Sequence, residues 1–443
     1  MYKRQYIIFA ADKPPLRQAA SRHGSNKFVF APGLHCLCPE NNDTMESLKE
    51  LYKIGNGPSS SHTMGPKKAA ERFAERCHDA DAYRVTLYGS LAATGKGHLT
   101  DTAILSVLEP LAPTEIVWKP EVVLPFHPNG MLFEGLKGDE VVDSWTIYSV
   151  GGGALANEAS RLETPRSIYP LSTISEIKEW CYHEGKTFWE YVSDCEGPEI
   201  WDYLDTVWET MCATIQRGLN NDGVLPGGLK VARKASTYWV KSKSYTDSLS
   251  SRAKIYAYAL ATSEENASGG TVVTAPTCGS SGVMPAVLYH LSTSRNFLRI
   301  RILRALATAG LFGNVAKTNS SISGAEVGCQ GEVGVACAMA AAAACQLFGG
   351  TPSQIEYAAE MGLEHHLGLT CDPVCGLVQV PCIERNAIAA ARAFDANAYA
   401  TLSDGSHMVS FDKVVEVMNE TGHALPSLYR ETSEGGLAKR FKR

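Results

Sequence analysis

The chain has 443 residues, of which 44% are hydrophobic and 20% are charged, and its formal net charge is −6. This length predicts two or three domains with a sizeable core, and the composition is that of an ordinary globular protein. The slight acidity, with no basic stripe carrying interleaved aromatic residues, speaks against a nucleic-acid or membrane-surface partner.

Residues 1–44 are richer in Lys and Arg than in acids and show no lasting periodicity. We expect them to form an extension that is disordered or non-native, with a transit peptide as the alternative. Met45 then begins MESLKELYKIG, a pattern typical of a helix start. The folded part of the chain is therefore predicted to begin near Met45.

From about residue 83 to 150, strand-like runs alternate with turns, in YRVTLYG, EIVWKP, EVVLPF and DSWTIYSVGGG. Amphipathic patterns near 66–77 and 99–109 predict two helices among them. The following segment, ETPRSIYPLST, has the composition of a linker. We therefore predict an α+β domain over residues 45–165.

The pattern beyond the linker is almost entirely helical, with breaks rich in Gly, Pro and Asn. Its most apolar run, Val333–Phe348, is mainly alanine and predicts a buried helix rather than a membrane span. The predicted fold class is an α+β N-terminal domain followed by a mostly α-helical domain over residues 166–443.

Three cysteines in this alanine-rich stretch, Cys329, Cys337 and Cys345, are spaced eight residues apart. On a helix, that spacing corresponds to about 12 Å of rise and roughly 80° of rotation. An iron–sulfur cluster takes its thiolates from all around a small volume, so at most one of the three can bind a given cluster. The glycine-broken sequence around Cys329 favours that residue, and we expect the other two to pack in the core.

Further cysteines follow at Cys371, Cys375 and Cys382, among thirteen in a chain with no signal-peptide pattern. Such usage favours the reducing cytoplasm, where cysteines bind metals or catalyse more often than they form disulfides. The C-x3-C-x6-C spacing matches neither a zinc ribbon nor a ferredoxin, so metal ligation and structural thiols both remain open. Cys382 precedes a helical pattern, so its thiolate would lie at a helix N terminus, where negative charge is favoured.

Five segments carry a specific resemblance: GNGPSSSHTMGP (55–66), YGSLAATGKGHLTD (88–101), TAPT (274–277), SISGAEVGCQGEVGVAC (321–337) and HLGLTCDPVCGLVQVPCIERNAI (366–388). They closely resemble the bacterial iron–sulfur L-serine dehydratases, ammonia-lyases that use no pyridoxal phosphate. The resemblance implies a cytoplasmic enzyme of amino-acid degradation and gluconeogenesis that converts L-serine to pyruvate and ammonia. It also implies a [4Fe–4S] cluster held by Cys329, Cys371 and Cys382, with Cys375 outside the ligand set, and we expect a homodimer.

The chemistry of serine agrees with such a cofactor. Hydroxide is a poor leaving group and the α-hydrogen is weakly acidic, so elimination of water needs a Lewis acid at the hydroxyl and a base at Cα. Three thiolates on four irons leave one iron open to polarise the hydroxyl oxygen. Some family members end in a cysteine that occupies this iron, whereas the sequence here has no cysteine after Cys382. Either the enzyme lacks this ligand or the sequence is truncated, and in the first case we expect the iron to carry water or hydroxide.

The loop GPSSSHT is predicted to supply the other half of the site. Its hydroxyls and backbone amides suit a substrate carboxylate, and we predict substrate binding by Ser59 and Thr63. His62 has an unperturbed pKa near neutrality, which suits a general base, and we predict catalytic roles for His62, Ser60 and Ser61. The alternative is a helix N-cap before GPKKAAERF, and the two roles can coexist.

Four more polar residues are predicted to contact the substrate. Lys96 and His98 are expected to line the pocket between the domains, with a plain turn as the alternative. Asn319 lies close to a ligand segment, and Arg385 follows Cys382 by three residues. Arg385 suits the substrate carboxylate, with a surface or helix-end arginine as the alternative.

The small domain contains LPFHPNGM at 124–131, which resembles a segment of the family's β domain. That domain is similar to the allosteric substrate-binding domain of some phosphoglycerate dehydrogenases. The resemblance implies a regulatory serine at His127 and Asn129, with an ordinary Pro-Asn-Gly turn as the alternative. In the helical domain, three polar residues are candidates to support the cluster ligands, with ordinary core hydrogen bonds as the alternative: Ser320, Glu326 and His365.

Three other functions stay open on the sequence alone. A pyridoxal-phosphate lyase would catalyse the same reaction, although the sequence shows no recognisable Schiff-base lysine pocket. A related iron–sulfur lyase would act on another β-substituted amino acid, such as cysteine. A non-enzymatic iron–sulfur or zinc sensor is the alternative of a different class, and the serine–histidine loop and the extra domain argue against it.

Overall fold

The computed structural model describes residues 45–157 and 167–441, so the extension predicted at 1–44 lies outside the described residues. The predicted order, an α+β region followed by a mostly helical one, is confirmed.

In chain order, the strands are β1 (Met45–Glu46), β2 (Ile54–Asn56), β3 (Ala82–Tyr88), β4 (Thr114–Lys119), β5 (Gly130–Lys137), β6 (Glu140–Ser149), β7 (Leu155–Ala156), β8 (Ser167–Tyr169) and β9 (Thr271–Val273). The α-helices are α1 (Gly65–Arg76), α2 (Gly89–Thr94), α3 (Thr100–Leu108), α4 (Ile174–Glu184), α5 (Phe188–Glu196), α6 (Glu199–Leu219), α7 (Ala235–Ser242), α8 (Asp247–Ala267), α9 (Val283–Arg295), α10 (Arg299–Asn319), α11 (Gly324–Val327), α12 (Val335–Leu347), α13 (Pro352–Glu364), α14 (Cys382–Leu402), α15 (Phe411–Ala424) and α16 (Gly436–Arg440).

A five-stranded sheet forms the centre of the small α+β region, in the order β4-β3-β5-β6-β7. Strand β3 runs parallel to β4 and antiparallel to β5, and β6 pairs antiparallel with both β5 and β7. Tyr83, Val85 and Leu87 alternate along β3 and are buried, as expected for a strand with one covered face. They share a core with Phe73 of α1 and Phe133 of β5.

Three of the four predicted strands and both predicted helices of this region are confirmed, as β3, β4, β6, α1 and α3. The strand predicted for EVVLPF is wrong. The Val122 amide donates to the Lys119 carbonyl in a turn, and the Val123 side chain is exposed. Strand β5, which lies between β3 and β6, is not apparent from the sequence because Gly130 and Gly135 weaken its strand pattern.

The prediction of a helix beginning at Met45 is also wrong. The segment MESLKELYKIG forms two short strands around a single 3-10 turn at Leu48–Glu50. Strand β1 pairs with β8 and β2 pairs with β9, so both are fixed by strands that follow the sheet in sequence. Leu48, Leu51 and Tyr52 are buried in the core of the helical region. Residues 45–56 therefore tie the small region to the helical one.

Helix α12 lies inside the helical region and packs against α9, α10, α13 and α14. Every residue from Val335 to Cys345 is buried, which confirms the predicted buried helix and the core positions of Cys337 and Cys345. The small side chains let helices approach closely: a Cβ on Gly362 would lie 2.9 Å from the Cα of Ala338. In the part of the chain that the structure describes, no helix is long and apolar enough to cross a membrane.

Candidate active site

Three cysteines from separate segments converge on one small cavity. Cys329, Cys371 and Cys382 line it, and each is at most 8% exposed. The Sγ atoms of Cys329 and Cys371 and a carboxylate oxygen of Glu332 all lie within 4.8 Å of one another. Cys375 is exposed. The structure therefore brings the three predicted ligands together.

Each of these thiols is positioned at an interruption of helical structure. Cys329 lies between α11 and a π-helical turn at Gln330–Gly334. Cys382 is the first residue of α14, which confirms its predicted place at a helix N terminus. Cys371 lies in a loop that pairs with the C-terminal segment. Its N–H donates to the Tyr429 carbonyl at 2.8 Å, and its carbonyl accepts from the Thr432 N–H at 3.1 Å.

Gly328 sets the path of the backbone into Cys329. Its φ is +73°, and a Cβ there would lie 2.7 Å from the carbonyl oxygen of Leu369. We expect Gly328→Ala to lower the free energy of unfolding by about 1–3 kcal/mol and to reduce metal content, because the strain and the clash both fall next to a ligand. Thermal unfolding and metal analysis would measure the two effects.

Gly349→Ala is the matched control for this substitution. Gly349 has a φ of +80°, but no atom lies within 4 Å of the point where a Cβ would stand, so its alanine variant should show the backbone strain alone. It should also keep its metal. Equal metal contents and equal melting temperatures for the two variants would contradict the role assigned to Gly328.

The donor set fits a metal centre. Burial raises the pKa of the Cys382 thiol, and a hydrogen bond with Cys329, together with burial, raises the pKa of Cys371. Thiolates this close together in a buried site repel one another, so a cation is needed to hold all three deprotonated. Cysteine thiolates are the usual ligands of iron–sulfur clusters, and the three here fit such a group.

The loop Ser59–Thr63 borders the cavity through Ser59, and its other four residues lie behind the wall. The Oγ of Ser59 caps the π-helical turn Ser60–Met64 by accepting from the His62 N–H at 3.1 Å. The Thr63 hydroxyl donates to the His98 carbonyl at 2.7 Å. Ser60 and Ser61 are both buried. Ser59 therefore caps the π-helical turn before α1 and not α1 itself, whose N-cap residue Met64 has no side-chain cap, and Ser59 also lines the cavity.

His62 is completely buried, and both of its ring nitrogens have neighbours. Nδ1 lies 3.0 Å from the Oγ of Ser61 and 3.2 Å from Oε1 of Glu431. Nε2 lies 3.2 Å from the Oγ of Ser90. Burial lowers the pKa of His62 to about 3, so the ring is neutral near pH 7. An imidazole with so low a pKa is a weak base near pH 7, since an effective general base has a pKa close to the operating pH.

Two glutamates that the sequence analysis missed complete the wall. Glu332 accepts from the Thr277 hydroxyl at 2.8 Å and lies 3.8 Å from the Sγ atoms of both Cys329 and Cys371. Burial, with repulsion from Glu431, raises the pKa of Glu332 to about 7, and burial raises the pKa of Glu431 to about 7 as well. Glu332 follows Cys329 by three residues, a spacing that could have signalled it.

His98 and Lys96, both predicted to line the pocket, have different surroundings. His98 is buried and lines the cavity, and its ring centroid lies 4.5 Å from that of His62. Lys96 is exposed, with its Nζ 5.5 Å from the ring centroid of Trp118. Its charge is therefore placed in solvent over an aromatic face, away from the cavity wall.

Arg385 lies beside the loop that contains Cys371, whereas His365 lies at the protein surface. Arg385 donates to the Thr370 carbonyl at 2.5 Å and lies 3.5 Å from Oδ1 of Asp372. It is thus held beside the Cys371 loop. His365 is half exposed, and its Nδ1 lies 2.9 Å from the Met361 carbonyl of its own helix. The structure places His365 at the surface of α13.

Asn319 and Ser320 end α10 beside other helical segments. The Asn319 side chain is exposed and donates to the Ser172 carbonyl at 2.7 Å. The Ser320 hydroxyl donates to Oδ1 of Asn419 at 3.3 Å. Both contacts join pieces of the helical region, and neither residue belongs to the cavity wall.

His127 and Asn129 are buried in the loop before β5. The Asn129 N–H donates to Nδ1 of His127 at 3.1 Å, and Nε2 of His127 lies 3.7 Å from Oε1 of Glu326. The His127 side chain lowers the pKa of Glu326. Among the described residues, Nε2 of His127 and Oδ1 of Asn129 have no hydrogen-bond partner. Nε2 of His127 therefore faces the Glu326 carboxylate, and Oδ1 of Asn129 is the atom of the pair that no described group contacts by a hydrogen bond or ion pair.

Comparison with known proteins gives the family. The family model for the serine dehydratase alpha chain matches residues 105–438, and that for the serine dehydratase beta chain matches residues 47–119. L-serine dehydratase 1 of Escherichia coli strain K12 is 43% identical over 452 residues, covering 89% of this chain and 99% of the relative. The L-serine dehydratases of Streptomyces coelicolor and Helicobacter pylori are 42% and 37% identical, covering 88% and 89% of this chain and 98% and 99% of the relatives.

These matches extend well beyond the five segments that carried the resemblance. The alpha-chain family model alone spans more than half of the chain and includes all three cysteines of the cavity. The beta-chain model includes the Ser59–Thr63 loop. The chain belongs to the serine dehydratase family and is an enzyme of the lyase class.

Proposed function

We propose that this enzyme converts L-serine to pyruvate and ammonia with a [4Fe–4S] cluster held by Cys329, Cys371 and Cys382. One observation carries the proposal: the three thiols and Ser59, the first residue of the Ser59–Thr63 loop, border a single buried cavity. The names of relatives that align over nearly their whole length support L-serine as the substrate. The convergence of three cysteines supports the cluster over a pyridoxal-phosphate mechanism.

The reaction is an elimination followed by hydrolysis. The Cα–H bond breaks, its electron pair forms the Cα=Cβ double bond, and the Cβ–O bond breaks as hydroxide leaves and takes up a proton to become water. The resulting enamine tautomerises to an imine, and water then hydrolyses the imine to pyruvate and ammonia. When bound, the cluster supplies a Lewis acid for the hydroxyl oxygen.

The residues of the chain supply binding and proton transfer. Ser59 faces the cavity, and the backbone turn behind it suits a carboxylate. Ser61 and Thr63 hold the loop through their hydrogen bonds to His62 and His98. We assign proton removal at Cα to the His62 side of the cavity, where a neutral ring meets a carboxylate. Burial of this wall excludes bulk water from the reacting atoms.

Anaerobic purification followed by iron, sulfide and turnover measurements tests the proposal. We expect iron and sulfide in equal amounts, no zinc, no bound pyridoxal phosphate and production of pyruvate from L-serine. Zinc or pyridoxal phosphate in place of iron would contradict the cofactor. Faster turnover of L-cysteine than of L-serine would contradict the substrate.

Ser59→Ala separates capping from substrate binding. Loss of the cap should cost about 0.5–2 kcal/mol of stability. Loss of a hydroxyl that faces the substrate carboxylate should also raise KM roughly tenfold, since hydrogen bonds to charged groups contribute about 1.5–3 kcal/mol. Steady-state kinetics and thermal unfolding measure the two effects.

Ser410→Ala is the matched control. Ser410 caps α15 by accepting from the Lys413 N–H and does not border the cavity. Its alanine variant should lose similar stability while keeping the wild-type KM. An unchanged KM in Ser59→Ala would show that Ser59 acts only as a cap.

A second, regulatory serine is proposed at His127 and Asn129. The unpartnered Oδ1 of buried Asn129 supports it, since this oxygen can accept a hydrogen bond from a small polar ligand, and the His127 ring lies beside it. We also propose that the enzyme works in the cytoplasm as a homodimer. All eleven cysteines among the described residues are free thiols, which supports a reducing compartment.

A further inference from the structure

The C-terminal segment carries a carboxylate into the cavity. Tyr429 and Thr432 pair with the backbone of Cys371, and the Leu437 N–H donates to Oδ2 of Asp372 at 2.7 Å. Glu431 lies between the first two of these anchors, so its side chain turns inward and lines the cavity together with the three cysteines. The segment thus fixes Glu431 relative to the Cys371 loop.

The two carboxylate oxygens of Glu431 have different surroundings. Oε1 lies 3.2 Å from Nδ1 of His62. Oε2 is buried and has no hydrogen-bond partner among the described residues. In Glu332, by contrast, one oxygen accepts from Thr277 and the other faces two thiols. Of the two glutamates in the wall, Glu431 is the one with a carboxylate oxygen that no described group occupies by a hydrogen bond.

The backbone of Glu431 is strained, and the strain accompanies the inward direction of its side chain. Its φ is +42°, in the left-handed region that side chains other than glycine rarely adopt. Such a conformation costs about 1–3 kcal/mol and persists only where surrounding contacts impose it. Here the imposing contacts are the hydrogen bonds of Tyr429 and Thr432 to Cys371. The strain therefore serves to point the carboxylate at the cavity.

His62 occupies a different position from Glu431. It is completely buried and does not belong to the cavity wall, whereas Glu431 lies between the ring and the cavity. A proton that leaves a substrate in the cavity meets the carboxylate first. The imidazole behind it is placed to orient the carboxylate through Nδ1.

We propose that Glu431 is the catalytic base of the serine elimination and that His62 is its positioning partner. This inference rests on the proposed function. The proton of the substrate Cα–H bond is transferred to the carboxylate of Glu431, and the electron pair left on Cα forms the double bond as hydroxide leaves Cβ. The carboxylic acid so formed then returns its proton to the departing hydroxide, which completes a molecule of water.

The test compares Glu431→Gln and Glu431→Asp with the wild type, all as full chains purified anaerobically. Glutamine keeps the shape but cannot accept the proton, so kcat should fall by roughly 10²–10⁴-fold while iron and sulfide contents stay at the wild-type level. The primary isotope effect on kcat with Cα-deuterated serine should increase, because proton removal becomes rate-limiting. Aspartate should restore part of kcat, since it keeps a carboxylate at a longer distance.

Glu434→Gln is the matched control, because Glu434 lies on the same segment and its side chain is exposed. It should keep wild-type kinetics. A Glu431→Gln enzyme with kcat within a few-fold of wild type, or one that loses iron together with activity, would overturn the assignment. An iron-loaded wild type that does not turn over serine would instead overturn the proposed function itself.

Discussion

Replacing Cys329, Cys371 or Cys382 by serine is expected to abolish both cluster binding and serine turnover. The three thiols border one cavity, and a serine hydroxyl stays protonated at neutral pH and is a far poorer ligand for iron. Removal of one of three ligands from a buried site also leaves the other two thiols without a counter-charge. Iron and sulfide analysis of anaerobically purified variants, together with pyruvate assays, would measure both losses.

Cys337→Ser and Cys345→Ser are the controls within the same alanine-rich stretch. Both thiols are buried in the core of α12 and have local partners: the Ala389 carbonyl for Cys337 and the Thr401 hydroxyl for Cys345. A serine hydroxyl can donate to the same oxygens, so these variants should lose a little stability and keep their iron. A fully iron-loaded, active Cys371→Ser protein would disprove the ligand set.

The fold class was predictable because periodicity and composition differ strongly between the two parts of the chain. The alternation in YRVTLYG and the alanine run of α12 each have one physical explanation, a half-buried strand and a buried helix. The local errors are also physical in origin. The strand propensity of EVVLPF yields to a turn, and the helix pattern after Met45 yields to pairing with β8 and β9.

The candidate site was predictable where one short segment carries the chemistry. The Ser59–Thr63 loop and the cysteines stand out through residue type, spacing and glycine breaks. Glu431 does not, because no local pattern marks it and only the pairing of the tail with the Cys371 loop brings it to the cavity. Lys96 is the opposite case: it was predicted to line the pocket, but its side chain is exposed and lies over the Trp118 ring.

His62→Ala is expected to lower turnover by roughly 10²–10⁴-fold while leaving the iron and sulfide contents unchanged. The ring does not border the cysteines, so the cluster should not depend on it. Its loss removes the group that meets Oε1 of Glu431 at 3.2 Å, and the carboxylate is then free to turn away from the substrate. The effect should therefore appear mainly in kcat, with KM changed much less.

The pH dependence of the wild type gives a second readout for the same residue. Because burial lowers the pKa of His62 to about 3, the ring gains a proton only in strong acid, and its own titration should not limit turnover between about pH 5 and 8. Turnover should instead fall as the pH drops through about 7, because burial raises the pKa of Glu431 to about 7 and a protonated carboxyl cannot act as a base. His78→Ala is the control, since His78 is 75% exposed in the same small region and should be dispensable. If His62→Ala keeps wild-type turnover, or if it loses iron along with activity, then His62 only packs the loop and the proton-transfer assignment on this side of the cavity is wrong.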